Sequence, residues 1–103
     1  MKIVGIAACT AGIAHTYIAK EKLENAAKKA GHDIHVETQG TIGTENPIPE
    51  SAIKEADVVV IAADVKVSGK ERFEGLRVIE IPTEVVIKSP NIFIEKIEEI
   101  VNQ

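Results

Sequence analysis

The chain has 103 residues, 45% of them hydrophobic and 27% charged, which suits one globular domain with its own core. Its net charge of −4 argues against a broad nucleic-acid surface, because phosphate backbones require a basic face. The single cysteine, Cys9, excludes a disulfide framework and a metal site built from several thiolates. No apolar run reaches the roughly 20 residues of a membrane span, and no signal peptide is evident, so we expect a cytoplasmic chain.

The first two predicted elements are a buried strand and a long helix. Residues 3–8 form a continuous apolar run, which is typical of a parallel strand covered on both faces. Apolar residues at helical spacing then predict a helix from near His15 to Ala30, with Gly31 just past its end.

Strands and helices continue to alternate along the rest of the chain. Strands are predicted at 32–38, 58–63 and 77–81, a loop at 39–49, helices at 50–56 and 90–101, and one helical turn near Arg72. Residues 82–88 are ambiguous, since Val85 and Val86 favour a strand whereas Thr83 can cap a short helix. This alternation predicts an α/β fold: a four-stranded parallel sheet of order 2-1-3-4 with helices on both faces, in three layers.

Cys9 occupies the position in such a fold where ligands bind. Sites in parallel sheets form at the carboxyl ends of the strands, where the strand order reverses, so the loops after Ala8 and Ala63 should lie side by side. Backbone N–H groups at a helix start favour a nucleophilic thiolate and can surround phosphoryl oxygens. The predicted phosphate-binding residues follow Cys9 directly: Thr10, Ala11, Gly12, Ile13, Ala14, His15 and Thr16.

His15 and Thr16 each have two interpretations. In cysteine phosphatases, five residues separate the catalytic Cys from an Arg, and a Ser or Thr follows this Arg. Here His15 and Thr16 stand at those positions, and the bidentate Arg clamp is missing. His15 either contacts a phosphoryl oxygen or caps the helix start, and Thr16 either donates to the thiolate or is the helix N-cap. The residues alone leave open a phosphoryl carrier, a small cysteine phosphatase or arsenate reductase, and a regulatory module.

Three further residues follow strands that end near Cys9. Gln39 and Gly40 come after the second predicted strand, and Asp64 comes after the third. In a phosphatase, Asp64 would be the candidate general acid, whereas the interpretation that we prefer is an acceptor for loop N–H groups.

The remaining basic and imidazole side chains give weaker signals. Lys66, Lys70 and Arg72 form a mild basic cluster, either a solvated face or a docking surface for an acidic partner. His32 and His35 flank a predicted edge strand and should be exposed to solvent; they lack a second ligand pattern, so we expect no metal and no cofactor.

Five separate segments, taken in order, resemble one known family. They are Gly12-Ile13-Ala14-His15-Thr16-Tyr17, Val36-Glu37-Thr38-Gln39-Gly40, Gly43-Thr44-Glu45-Asn46, Ala62-Ala63-Asp64-Val65 and Glu71-Arg72-Phe73. They resemble the fructose-type IIB components of the bacterial phosphoenolpyruvate-dependent sugar phosphotransferase system (PTS). The resemblance implies a single IIB domain over residues 1–103 and the same sheet with flanking helices.

The resemblance also implies a function for Cys9. It would accept a phosphoryl group from a phosphohistidine of a IIA partner and transfer it to a sugar, fructose or a similar hexose, bound by a membrane IIC component. The chain would then be a cytoplasmic phosphotransferase, drawn to the inner face of the membrane through IIC without inserting into it. The loop departs from the family's usual Cys-Pro-Thr-Gly, because Thr10 and Ala11 replace the Pro and Thr.

Overall fold

The computed structural model describes residues 1–9, 13–40 and 43–102. The strands are β1 (Lys2–Ala8), β2 (Asp33–Gly40), β3 (Gly43–Glu45), β4 (Val58–Ala63) and β5 (Val78–Ile81). The helices are α1 (Ile13–Lys29), α2 (Glu50–Glu55), α3 (Thr83–Lys88) and α4 (Pro90–Val101), and a 3₁₀ turn spans Lys70–Phe73.

The strands form one five-stranded sheet of order β3-β2-β1-β4-β5. The prediction of four strands, all parallel, is wrong, because β3 runs antiparallel to β2 with Gly40 opposite Gly43. The three residues of β3 are all exposed, so this strand has no apolar alternation by which a pattern could reveal it. The other four strands are parallel neighbours, in the predicted succession β2, β1, β4 and β5.

Helices cover both faces of the sheet, as predicted. One face packs against α1, α3 and α4, and its core includes Leu23, Val86 and Ile94. The other face packs against α2 and the 3₁₀ turn, and its core includes Ile6 and Phe73. Because successive side chains of β1 enter opposite cores, this strand is apolar from Ile3 to Ala8.

The helix boundaries follow local signals with a few differences. α1 ends in a Schellman motif, in which Gly31 at φ 86° donates to Lys28 and the His32 N–H donates to the Ala27 carbonyl. The ambiguous segment 82–88 is helical as α3. Ser89 is the residue before α4 and makes no side-chain capping bond, although serine commonly caps helices. None of the helices in the described ranges combines the length and apolar character that crossing a membrane requires.

Candidate functional site

The Cys9 thiol lies where the ends of β1 and β4 meet. Parallel pairing sets Ala8 beside Ala63, and the Asp64 N–H donates to the Ala8 carbonyl at 3.0 Å. The Cys9 Sγ consequently lies 3.0 Å from Asp64 Oδ2, and the residue is only 8% exposed. Cys9 and Asp64, the first residues after these two strands, therefore lie side by side as predicted.

Asp64 is oriented by the start of α3. Its Oδ1 accepts the Thr83 backbone N–H at 3.1 Å, and its Oδ2 accepts the Thr83 hydroxyl at 2.6 Å. Hydrogen bonds from the Thr83 hydroxyl and then from the Cys9 thiol hold the pKa of Asp64 below its ordinary value, with a smaller contribution from His15. Asp64 therefore accepts a backbone N–H, as the preferred interpretation expects, but this N–H belongs to the first residue of α3 and not to a loop.

His15 and Thr16 lie inside α1, because this helix begins at Ile13. Thr16 is therefore not the N-cap. The His15 Nδ1 is 3.1 Å from Cys9 Sγ, so the imidazole faces the thiol. Thr16 is 3% exposed, and within the described residues its hydroxyl has no hydrogen-bond partner. Of the other predicted phosphate-binding residues, Ile13 and Ala14 open the helix, whereas Thr10, Ala11 and Gly12 lie outside the described residues.

A carboxylate, an imidazole and the start of a helix lie near the Cys9 thiol. The S–H group donates to Asp64 Oδ2 at 3.0 Å, and α1 begins four residues after Cys9. His15 is close enough to take the proton or to stabilise negative charge on the sulfur. This arrangement suits a nucleophilic thiol.

A cleft of about 400 Å³ opens beside Cys9. It lies between the β2–β3 hairpin and the segment that follows β4. Its lining residues are Ala8, Cys9, Gln39, Gly40, Gly43, Thr44, Val65, Lys66 and Ser68. Gln39 and Gly40, which the sequence placed near the site, therefore share one cleft with the thiol. A hydrogen bond from the Tyr17 hydroxyl to Glu45 ties the hairpin to α1.

One wall of this cleft depends on a buried carboxylate that the sequence did not single out. Glu37 is 1% exposed, and both terminal guanidinium nitrogens of Arg72 donate to its carboxylate, at 2.9 and 3.0 Å. Gln39 Nε2 and the Ile48 N–H complete its hydrogen bonds. Burial acts to raise the pKa of Glu37, but the hydrogen bonds from Arg72, Gln39 and Ile48 outweigh it, and the pKa lies below its ordinary value.

Arg72 is held in a tight turn that requires glycine at position 69. The Arg72 Nε donates to the Gly69 carbonyl at 2.8 Å, and the guanidinium lies 5.1 Å from the centre of the Phe73 ring. Gly69 has φ 81°, and a Cβ there would lie 2.7 Å from Arg72 Nε. Since Arg72 binds Glu37 and Lys70 pairs with Glu80, only Lys66 of the predicted basic cluster remains as a lining residue of the cleft.

The Gln39 side chain connects the two sides of the cleft, the β2–β3 hairpin and the segment that follows β4. Its Nε2 donates to the Ser68 carbonyl at 2.9 Å, and its Oε1 accepts the Ser68 N–H at 2.8 Å. One side chain thus binds both backbone groups of a residue, as a neighbouring strand would. The segment after β4 is positioned over the cleft by this contact.

Comparison with known proteins assigns the family. The family model described as "PTS system, Lactose/Cellobiose specific IIB subunit" matches residues 4–103. This chain belongs to the PTS IIB family. It is 39% identical over 97 residues to an Escherichia coli K12 protein named "PTS system fructose-like EIIB component 2", covering 94% of this chain and 92% of that protein.

Solved structures agree with this assignment. A domain of the fructose-specific IIABC component of Borrelia burgdorferi is 48% identical, with a TM-score of 0.85 over 91% of this chain and 89% of that domain. The Enzyme IIB subunit from Escherichia coli K12 is 37% identical, with a TM-score of 0.91 over 98% of this chain and 94% of that one. IIB components are phosphotransferases, and the partners of this IIB chain are other PTS components.

The buried ion pair gives a stability prediction for the IIB chain. Glu37→Gln should lower the free energy of unfolding at pH 7 by about 2–3 kcal/mol, because Arg72 loses its charged partner inside the fold. The folded pKa of Glu37 lies below the ordinary 4.5, so its contribution is complete above that pH and is lost as pH falls through the folded value. The difference between wild type and variant, measured by urea unfolding at several pH values, should therefore shrink in acid.

Glu95→Gln, the same change on the exposed side of α4, is the matched control and should leave stability nearly unchanged. A Glu37→Gln variant as stable as this control at pH 7 would contradict the role given to the pair.

Proposed function

We propose that residues 1–103 form one IIB domain, a phosphoryl carrier that accepts its phosphoryl group from a phosphohistidine of a IIA component onto Cys9. It passes the group to a sugar bound by a membrane IIC component. The observation that carries the proposal is the Cys9 sulfur, held between His15 and Asp64 at one end of the cleft. The names of the E. coli and B. burgdorferi relatives support fructose or a similar hexose as the sugar.

The transfer onto Cys9 exchanges one bond for another. The sulfur attacks phosphorus, the S–P bond forms, and the N–P bond of the donor phosphohistidine breaks. The thiol proton replaces the phosphoryl group on the donor imidazole, either directly or through His15, which lies 3.1 Å from the sulfur. No other reactant is consumed, and catalysis of the transfer depends mainly on positioning.

The start of α1 is the proposed phosphoryl-binding element. No Arg or Lys lies between Cys9 and Thr16, so the phosphoryl oxygens would be bound mainly by N–H groups of Thr10 to His15. The buried Thr16 hydroxyl, which lacks a partner within the described ranges, can serve as a further donor. Gln39 and Gly40 would face the group from the opposite side of the cleft.

The site disfavours the alternative of a cysteine phosphatase. A phosphatase needs a charged clamp on the phosphoryl group and an acid to protonate the leaving group. His15 stands where the clamp Arg would be. Asp64 has a lowered pKa and is ionised at neutral pH, so it has no proton to give. A thiophosphate formed here would wait for an acceptor.

The carrier proposal predicts a phosphocysteine that persists until an acceptor is present. After charging by a phosphorylated IIA domain and removal of the donor, the phosphoprotein should decay slowly. Adding IIC membranes and sugar should discharge it at least about 100-fold faster, a difference of about 2.7 kcal/mol in barrier. Intact-protein mass spectrometry follows the slow decay and the discharge to the acceptor. The Cys9→Ser variant should not become phosphorylated. Rapid release of free phosphate without an acceptor would instead support a phosphatase.

Asp64 gives a second prediction, about the stability of the phosphorylated form of Cys9. Phosphorylation places about two negative charges next to this carboxylate, which lies 3.0 Å from the sulfur in the unmodified chain. Asp64→Asn removes the repulsion while its side-chain oxygen can still accept the Thr83 N–H. The exchange equilibrium with phosphorylated IIA should then shift towards phospho-Cys9 by about three- to tenfold.

Asp33→Asn, the same change at the exposed start of β2, is the control and should leave this equilibrium where it is. An equal shift in both variants would assign the effect to overall charge. A shift of Asp64→Asn away from phospho-Cys9 would contradict the repulsion.

A further inference from the structure

Three different metal-binding donors converge at the end of β1. The Cys9 Sγ, a His15 ring nitrogen and an Asp64 carboxylate oxygen all lie within 4.8 Å of one another. The sulfur is 3.1 Å from His15 Nδ1 and 3.0 Å from Asp64 Oδ2. The topology predicts that Cys9 and Asp64 lie close together, but the three residues show no metal-ligand spacing in the sequence, because Cys9 is separated from His15 by 6 positions and from Asp64 by 55.

The chemistry of the donors selects one class of cation. Sulfur, imidazole nitrogen and one carboxylate oxygen are ligands for zinc and for softer ions such as cadmium, whereas magnesium and calcium prefer all-oxygen sites. Zinc bonds of about 2.0–2.3 Å in tetrahedral geometry place ligand atoms about 3.5 Å apart. The sulfur contacts of 3.0 and 3.1 Å would need to open by about half an ångström, which small side-chain rotations supply.

The carboxylate is already oriented as a metal ligand would be. Both of its oxygens are fixed by Thr83, which is fully buried at the start of α3. Such outer partners hold ligands in place and commonly change metal affinity by about 10–100-fold when they are removed. The partial positive charge at the start of α1, about half an elementary charge, opposes a cation. A thiolate and a carboxylate together outweigh it.

We propose that Cys9, His15 and Asp64 form a binding site for a single thiophilic divalent cation, such as Zn²⁺ or Cd²⁺. The cation bonds to the sulfur, the imidazole nitrogen and one carboxylate oxygen, and the thiol releases one proton to solvent for each ion bound. Zinc is commonly four-coordinate, and water would supply the remaining ligand. Because the ion and a phosphoryl group need the same sulfur, bound metal excludes phosphorylation of Cys9; this consequence rests on the proposed carrier function, whereas the site itself does not.

Titration of the full chain with Cd²⁺ tests the site without any phosphoryl donor. The ultraviolet sulfur-to-cadmium charge-transfer band should reach its end point at one ion per chain, with one proton released into weakly buffered solution. Competition with a chromophoric chelator gives the Zn²⁺ affinity. Excess Mg²⁺ should leave both signals unchanged.

Variants decide whether all three donors take part. Cys9→Ser should abolish the band, and His15→Ala and Asp64→Asn should each weaken Zn²⁺ binding by about tenfold or more. His35→Ala and Asp33→Asn are matched controls outside the site and should bind as the wild type does. Circular dichroism and thermal unfolding confirm that each variant is folded.

The proposal is overturned if Cd²⁺ binds Cys9 equally well in folded His15→Ala and Asp64→Asn variants, because the thiol would then bind the ion alone. Zn²⁺ binding at one ion per chain that keeps its wild-type affinity in Cys9→Ser would overturn it as well. Since every measurement uses the isolated chain, a failed carrier assay would leave this result unaffected, and the reverse also holds.

Discussion

Parallel pairing of β1 with β4 is the constraint on which the site depends. The pairing sets Ala8 beside Ala63, so the next residues in each strand, Cys9 and Asp64, leave the sheet together. Neither side chain could meet the other if the register slipped by one residue, because every side chain of the strand would change face. The two cores fix that register, since alternate residues of β1 are buried in different layers.

A second constraint shapes the cleft rather than the thiol. Burying Glu37 is tolerable only because Arg72, Gln39 and the Ile48 N–H together satisfy its oxygens. These partners come from three separate stretches of chain, so one carboxylate organises the 3₁₀ turn, the end of β2 and the segment before α2. The segments that resemble the IIB family contain Glu37, Gln39 and Arg72, and the structure gives their physical connection.

Much of the fold could be predicted from the sequence because its signals are local. The apolar run of β1 and the helical spacing of α1 determine those elements. β3 lacks such a signal, because all three of its residues are exposed. The start of α3 depends on a distant contact, since Asp64, 19 positions earlier, accepts its first N–H. The burial of Glu37 was equally unpredictable, because a polar residue in an alternating strand is expected on the exposed face. The segments that cover Glu37 are distant in the sequence. The position of Cys9 was predictable from topology, whereas no sequence pattern indicates its contact with His15.

The contact of Gln39 with Ser68 has a consequence for which residues position 39 can accept. Its nitrogen faces Glu37 and the Ser68 carbonyl, and its oxygen faces the Ser68 N–H. A glutamate would set two carboxylates against each other, a lysine would leave the Ser68 N–H without an acceptor, and an asparagine is one methylene too short to reach both. The position is therefore restricted by chemical complementarity, although its side chain is only half-buried and contributes nothing to either core.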